Sequence, residues 1–336
     1  MFPMKTRILA PALICVIAAF TGGCAYRVAL TPEAAAQLKA SAVSGVVALE
    51  RDEIGLSIGE GDVASLAGVM VAMPPGLGFI GGAIYGATAS LATDAINRSS
   101  GKELETIAAG IREGTLGYAF DQALMGAFSR RFASAGDGVP ALSAVVVSGN
   151  TTVAEISRLV QEADGDAVAL VFAKHLMTPS FSDFALEADV VLCAKSDALR
   201  VFAAKKFHGN QRVAVLYRNA FHSYWRIPAD DWPEHSSQRK NAVRKANAAV
   251  WAKDNGARLR TALDSAAAEM AELIFWDLGN PAREVFDKDF LGGSATVQTK
   301  KFKGNVMRGV EGTAYRRVNN RVWMRSFNGC VYAQAE

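Results

Sequence analysis

The apolar positions of this chain change period several times, and each change marks an element. Residues 41–58 carry short apolar bursts, Val43, Val46, Val47 and Leu49, then Ile54, Leu56 and Ile58, around the polar Arg51-Asp52-Glu53. That pattern predicts a strand hairpin. From Gly101 to about Ala135, Leu104, Ile107, Ile111, Leu116, Phe120, Leu124, Phe128 and Phe132 recur at helical spacing, with Gly110, Gly114 and Gly117 as break points. Leu142–Val147 is a near-continuous apolar strand. Thr152 and Glu155 form a capping box for a helix through Ala163, Asp164-Gly165-Asp166 ends it, and Ala167–Ala173 is a second buried strand. A strand–helix–strand of this length fits a right-handed βαβ crossover with parallel strands.

Strands then follow without helices: Phe184–Cys193, Leu199–Phe207 and Val213–Tyr224, expected as antiparallel additions to the same sheet. A helical stretch runs from about His235 to Leu278 with a break at Asn255-Gly256, and Leu259, Leu263, Ala266, Met270 and Leu273 form its packing face. Residues 279–293 read as a connector. The tail reads as a β-meander: Thr313–Val318, a turn at Asn319-Asn320, Arg321–Phe327, Asn328-Gly329 and Cys330–Ala333. Its alternation sets Arg321, Trp323, Arg325 and Phe327 opposite Val322, Met324 and Ser326. Such a face either grips an anionic polymer or sugar ring, or buries its aromatics while the arginines snorkel. The expected fold class is α/β (α+β): a mixed sheet with a βαβ unit and added antiparallel strands, packed by helices. The expected organisation is a signal segment 1–23, an N-terminal segment 24–100, an α/β domain 101–290 and a basic meander 291–336.

Two stretches stand apart from this scheme. Residues 63–93 contain no charged side chain, and Pro74-Pro75-Gly76 divides them. The second arm, Gly76 to Thr93, would span about 27 Å as a helix, close to a bilayer core. Gly78, Gly82 and Gly86 fall four apart on one helix face, where backbones approach closely. This resembles the glycine zippers of several envelope lipoproteins. A helical hairpin buried against the soluble domain and a membrane-contacting or oligomerising element both remain open.

At the N-terminus, Lys5 and Arg7 precede an uncharged apolar run, Ile8 to Phe20, ending in Thr21-Gly22-Gly23-Cys24. A basic start, an apolar run too short to span a bilayer and small residues before a cleavage point make a secretory signal. The cysteine after two glycines resembles the lipobox of bacterial lipoproteins, with Thr21 where leucine is usual. The resemblance implies acylation of Cys24, and Ala25 in place of an aspartate implies export to the outer membrane, facing the periplasm. At about 0.8 kcal/mol per buried methylene, two or three acyl chains would hold the protein there essentially permanently.

Charge and cysteine content follow from that address. Loss of Lys5 and Arg7 lowers the formal charge from +3 to +1. Residues 294–336 carry eight Lys or Arg against Glu311 and Glu336. A near-neutral exported chain excludes a nucleic-acid partner. Cys193 and Cys330 are left as thiols that either pair in an oxidising compartment or stay buried separately.

Motifs of chemistry are lacking in the sequence. There is no Gly-x-Ser-x-Gly elbow. Ser99-Ser100-Gly101-Lys102 resembles the end of a phosphate loop, but Ile96 stands where glycine is needed and Glu103 follows the lysine. His175, His208, His222 and His235 are scattered, although His175 and His222 could converge across strands. Asp230-Asp231 and the Asp287, Asp289 pair read as solvated carboxylates. No catalytic, cofactor or metal site is assigned. The run Trp251-x-x-Asp254-x-Gly256, with Leu259, Leu263 and Glu269, resembles a group of uncharacterised proteobacterial envelope lipoproteins. The α/β layout is similar to small domains of outer-membrane assembly lipoproteins, such as curli-secretion channel subunits and activators of penicillin-binding proteins. These resemblances imply a non-enzymatic binding or assembly role, with an envelope protein partner or self-association. The alternatives are a zipper-mediated membrane oligomer or secretion-channel component, and an envelope hydrolase with a cleft around His222, Asp230 and Asp231.

Overall fold

Among the described residues, nine strands share one mixed sheet, and the chain enters it out of spatial order. The structure, a computed structural model, describes residues 28–50, 54–56, 98–133, 141–148, 162–178, 180–203, 214–227, 240–279, 312–326 and 330–335. The strands are β1 (Val43–Leu49), β2 (Gly55–Leu56), β3 (Leu142–Ser148), β4 (Ala167–Met177), β5 (Asp183–Ala194), β6 (Ala214–Arg226), β7 (Gly312–Val318), β8 (Arg321–Ser326) and β9 (Val331–Ala335). Across the sheet they run β3-β1-β4-β5-β6-β9-β8-β7, with β2 beside β4. The helices are α1 (Pro32–Lys39), α2 (Arg98–Gly114), α3 (Phe120–Arg131), α4 (Asp197–Arg200) and α5 (Lys240–Gly279). The protein is therefore an α/β fold built on a mixed sheet.

β3 and β4 are parallel as their sequence spacing predicts, but β1 lies between them, Val47 pairing with Val147 on one side and Val171 on the other. The expected helix over 152–163 lies almost wholly outside the described residues. The expected strand hairpin over 41–58 does not form. β1 and β2 both run parallel to β4, from Val43 opposite Ala167 to Leu56 opposite Met177, so the chain keeps one direction. The cause is visible in β1, where all seven residues are buried. Apolar residues on both faces belong to a central parallel strand, which needs neighbours on both sides rather than a hairpin return.

β5 and β6 form the antiparallel additions, paired from Asp183–Arg226 to Ala194–Ala214. The strand expected over Leu199–Phe207 is instead the helical turn α4 as far as Arg200, with Leu199 fully buried beneath it. Direct pairing of β5 with β6 leaves residues 199–203 no place in the sheet, and residues 204–207 lie outside the described residues. The meander forms with its turn at Asn319-Asn320, both with positive φ as a tight two-residue hairpin needs. β9 then pairs in parallel with β6, Phe221 opposite Val331. Segments 24–100, 101–290 and 291–336 all contribute strands to this one sheet.

Helices α2, α3 and α5 cover one face. The helical periodicity holds at Ile107, Ile111, Phe120, Leu124, Phe128 and Phe132, all buried, whereas Leu116 is 70% exposed in the turn between α2 and α3. α5 breaks at residues 253–256, where Asp254, Asn255 and Gly256 take positive φ. Gly256 is required there: a Cβ would sit 2.5 Å from the carbonyl oxygen of Gly114, at a φ of +73°. Beyond the break, Leu259, Leu263, Ala266, Met270 and Leu273 are buried as their spacing predicts. Before it, buried Trp251 donates from Nε1 to the carbonyl of Phe181 at 2.9 Å, anchoring the β4–β5 connection beneath the helix. The motif residues Trp251 and Gly256 thus each hold α5 to the rest of the fold, against Phe181 and Gly114.

Candidate functional site

Successive strand residues point to opposite faces, so β6 carries two different polar sets on alternate positions. On the face under α5, Glu269 and Asp277 descend from the helix and meet arginines rising from β8. Arg321 grips Glu269 with two bonds, Nε to Oε1 and Nη2 to Oε2, each 2.6 Å. Ser223 donates to Oε2 and Trp323 Nε1 donates to Oε1 at 3.2 Å. Asp277 accepts from Tyr217 at 2.6 Å, from Asn219 at 2.9 Å, and from Arg325. The arginines beside Trp323 therefore neither display themselves nor snorkel. They turn inward, because two carboxylates of α5 stand opposite them and a desolvated carboxylate demands donors. This layer fastens the meander to the helix.

The opposite face carries a row that water reaches. Register places Lys174 of β4 beside Glu187 of β5, Glu187 beside His222 of β6, and His222 beside Tyr332 of β9. The β4 burial pattern explains why the row is open: its first five residues are buried on both faces, then Phe172, Lys174 and Leu176 emerge alternately. Lys174 Nζ lies 3.0 Å from Glu187 Oε2, and His222 Nδ1 lies 3.4 Å from Oε1, so one carboxylate serves two partners. Burial alone would push the Glu187 carboxyl up, but the bond and charge from His222, then Lys174, outweigh it and hold it at about 2. Burial likewise works against the charge on Lys174, yet Glu187, Glu50 and Asp189 raise its ammonium above the ordinary value. The His222 ring stacks on Tyr332 at 4.6 Å between centroids and on Tyr224 at 6.1 Å, within 9° of parallel. Side-chain exposure falls from 38% at Lys174 to 20% at Glu187 and 16% at His222. Flat rings flanked by fixed charge are suited to stacking and ion pairing with a partner.

The residues singled out by sequence are distributed as follows. Cys24, the zipper glycines Gly78, Gly82 and Gly86, and the acidic pairs at 230–231 and 287–289 lie outside the described residues, as do His208 and His235. Cys193 and Cys330 do not form a disulfide. Cys193 pairs with Val215 on β6 while Val331 pairs with Phe221, about 20 Å further along that strand, far beyond the reach of a disulfide. Burial pushes the Cys193 thiol up to about 12. His175 and His222 do not converge: His175 is on the helix-covered face with its ring 4.8 Å from Phe120, one position away from Lys174 on the other face. The Ser99–Lys102 run lies within helix α2, without the loop a phosphate cradle needs. Among the described residues, no cluster of three or more His, Cys, Asp or Glu is placed to hold a metal, and no helix is long and apolar enough to cross a membrane.

Neither Lys174 nor Glu187 stands out in the sequence: each is a charged residue in a largely apolar strand that also carries other polar residues, His175 beside Lys174 and Asp183 and Asp189 around Glu187. No protein-family model, curated protein or solved structure matches this chain.

Proposed function

We propose that the protein is a lipid-anchored envelope lipoprotein of the outer membrane that faces the periplasm and acts by binding a partner protein. The observation that carries the binding role is the outer row: Lys174, Glu187 and His222 paired across three strands, with Tyr224 and Tyr332 stacked about the imidazole. Its charges are neutralised in register and its rings are held near-parallel by the sheet, so a partner meets a preorganised surface and loses little side-chain freedom on docking. The address comes from the signal-like start and Cys24.

The test uses the full chain purified from membranes, first weighed to find acyl chains on Cys24. Wild type and the Tyr224→Ala/Tyr332→Ala variant are then used to capture partners from envelope extracts. The expected result is one specific protein retained by wild type and lost by the variant at unchanged melting temperature. Equal recovery by both, or none by either, would count against the binding surface; an unacylated N-terminus would count against the address.

A further inference from the structure

The lipoprotein reading leaves open how the domain stands on its membrane, and the first described residue bears on that. Val28 is clamped to β6 by two backbone bonds, its N–H to the carbonyl of Arg218 and the Arg218 N–H to its own carbonyl, each 2.9 Å. Its side chain packs with Val191, Val215 and Cys193 on the outer face of the sheet. Thr31 then caps α1, whose Ala34 and Leu38 are buried in the main core together with Leu30. The chain is thus fixed to the fold from Val28 onward. Only three residues, Ala25 to Arg27, separate Val28 from Cys24, four Cα–Cα steps in all. Fully extended, they reach about 14 Å, which is short for a tether that must keep a domain clear of lipid headgroups.

A second observation lies at the same end. α4 follows directly on β5, and Val201 just beyond it is 76% exposed, the most exposed of the large apolar side chains among the described residues. Arg200 and Asp197 beside it are also exposed and pair with each other at 3.1 Å. An exposed apolar side chain next in sequence to a neutralised ion pair suits the interface of a bilayer better than open water.

We infer that the end of the domain formed by Val28, the β5–β6 margin and α4 rests on the surface of the bilayer that carries the anchor. This rests on the reading of Cys24 as the acylated residue. The opposite end of β6 lies about 40 Å away, and the Asn319-Asn320 turn belongs to that far side, since Arg321 stacks on Trp225 with 4.1 Å between guanidinium carbon and ring centroid. The protein would lie against the membrane by one edge, with His222 and Tyr332 displaced toward the periplasm.

The test places a fluorophore, as an unnatural amino acid, at Asp197 or at Asn320 of the full acylated chain. The protein is reconstituted in phosphatidylethanolamine and phosphatidylglycerol vesicles bearing a headgroup-linked acceptor. Energy transfer from position 197 is expected to exceed that from position 320 by at least about twofold, given the ~40 Å between the two ends. Insertion of a Gly/Ser linker of roughly twenty residues after Cys24 is expected to collapse the contrast. Equal transfer from the two positions with the native tether overturns the proposal, and so does a contrast that survives the linker, since the tether would then not be its cause. Mass measurement of the same sample reads the acylation of Cys24 separately, so loss of the anchor is distinguishable from loss of the orientation.

Discussion

One sheet carries ion pairs on both faces, and the two sets behave as different materials. Beneath α5, the side chains of Glu269 and Asp277 are 9% and 0% exposed. Glu269 is met by Arg321, Ser223 and Trp323, and Asp277 by Arg325, Tyr217 and Asn219. On the outer face, Glu187 has Lys174, whose side chain is 38% exposed, and His222, whose ring is partly exposed but whose nitrogens are buried. The residue types are nearly the same. What differs is whether water can replace a lost partner. Where it cannot, removing one charge strands the other, and the pair serves as a fastening. Where it can, the pair is cheap to break and free to exchange its partner for a ligand. Strand alternation puts the two sets one residue apart: Ser223 belongs to the fastening and His222 to the row.

The largest effect is expected on the covered face. Asp277→Ala leaves Arg325 without its carboxylate and removes the acceptor of Tyr217 and Asn219. A loss of about 3–5 kcal/mol follows, seen as a drop of roughly 10 °C in melting temperature. A loss below about 1 kcal/mol would erase the distinction between the two faces. Arg325→Met in the same background sharpens it: removing both charges should recover part of the loss, because no stranded ion remains.

Glu187 gives the next effect, and it depends on pH. Its carboxyl is held at about 2 against an ordinary 4.5, so the folded state binds this proton less readily than the unfolded chain. The stabilisation is fully present above the unfolded value and is lost as pH falls from about 4.5 through about 2. At most it amounts to about 3 kcal/mol at neutral pH. The gap in unfolding free energy between wild type and Glu187→Gln is therefore expected to be open at pH 5 and to close as pH falls through that acid window. A gap that stayed open down to pH 2 would mean that Glu187 contributes shape rather than charge.

The sequence exposed the covered face more fully than the outer one. Apolar periodicity located α2, α3, α5 and most strands, because burial of a stripe is written locally. It misread β1 and β2 as a hairpin, since a strand buried on both faces has no alternation to show its neighbours. Arg321, Trp323 and Arg325 were legible as one face of β8, but not their partners. A spacing clue existed: four residues on a strand cover about 14 Å, and eight on a helix, Glu269 to Asp277, about 12 Å. Matching those lengths needs the helix laid over the strand, which is tertiary information. The outer row was hidden for a similar reason. Lys174, Glu187 and His222 are far apart in sequence, and their alignment depends on the register shift at Leu192/Cys193 of the β5–β6 pair. A one-residue slip would send each to the other face, as His175 beside Lys174 illustrates.

The smallest effect tests the division most directly. Lys174 is 38% exposed at its side chain, so Lys174→Ala is expected to change stability by less than about 1 kcal/mol. Added salt supplies the discriminating measurement. At 1 M ionic strength the screening length is about 3 Å, comparable to the 3.0 Å between Lys174 and Glu187, so whatever the outer pair contributes should largely vanish. The penalty of Asp277→Ala should persist, because ions do not reach a carboxylate closed off beneath α5. Unfolding curves of the two variants at low and high salt decide the matter. If salt weakens both penalties in proportion, water reaches both faces alike, and the covered arginines would have to be counted with Lys174 and His222 as part of a single binding surface.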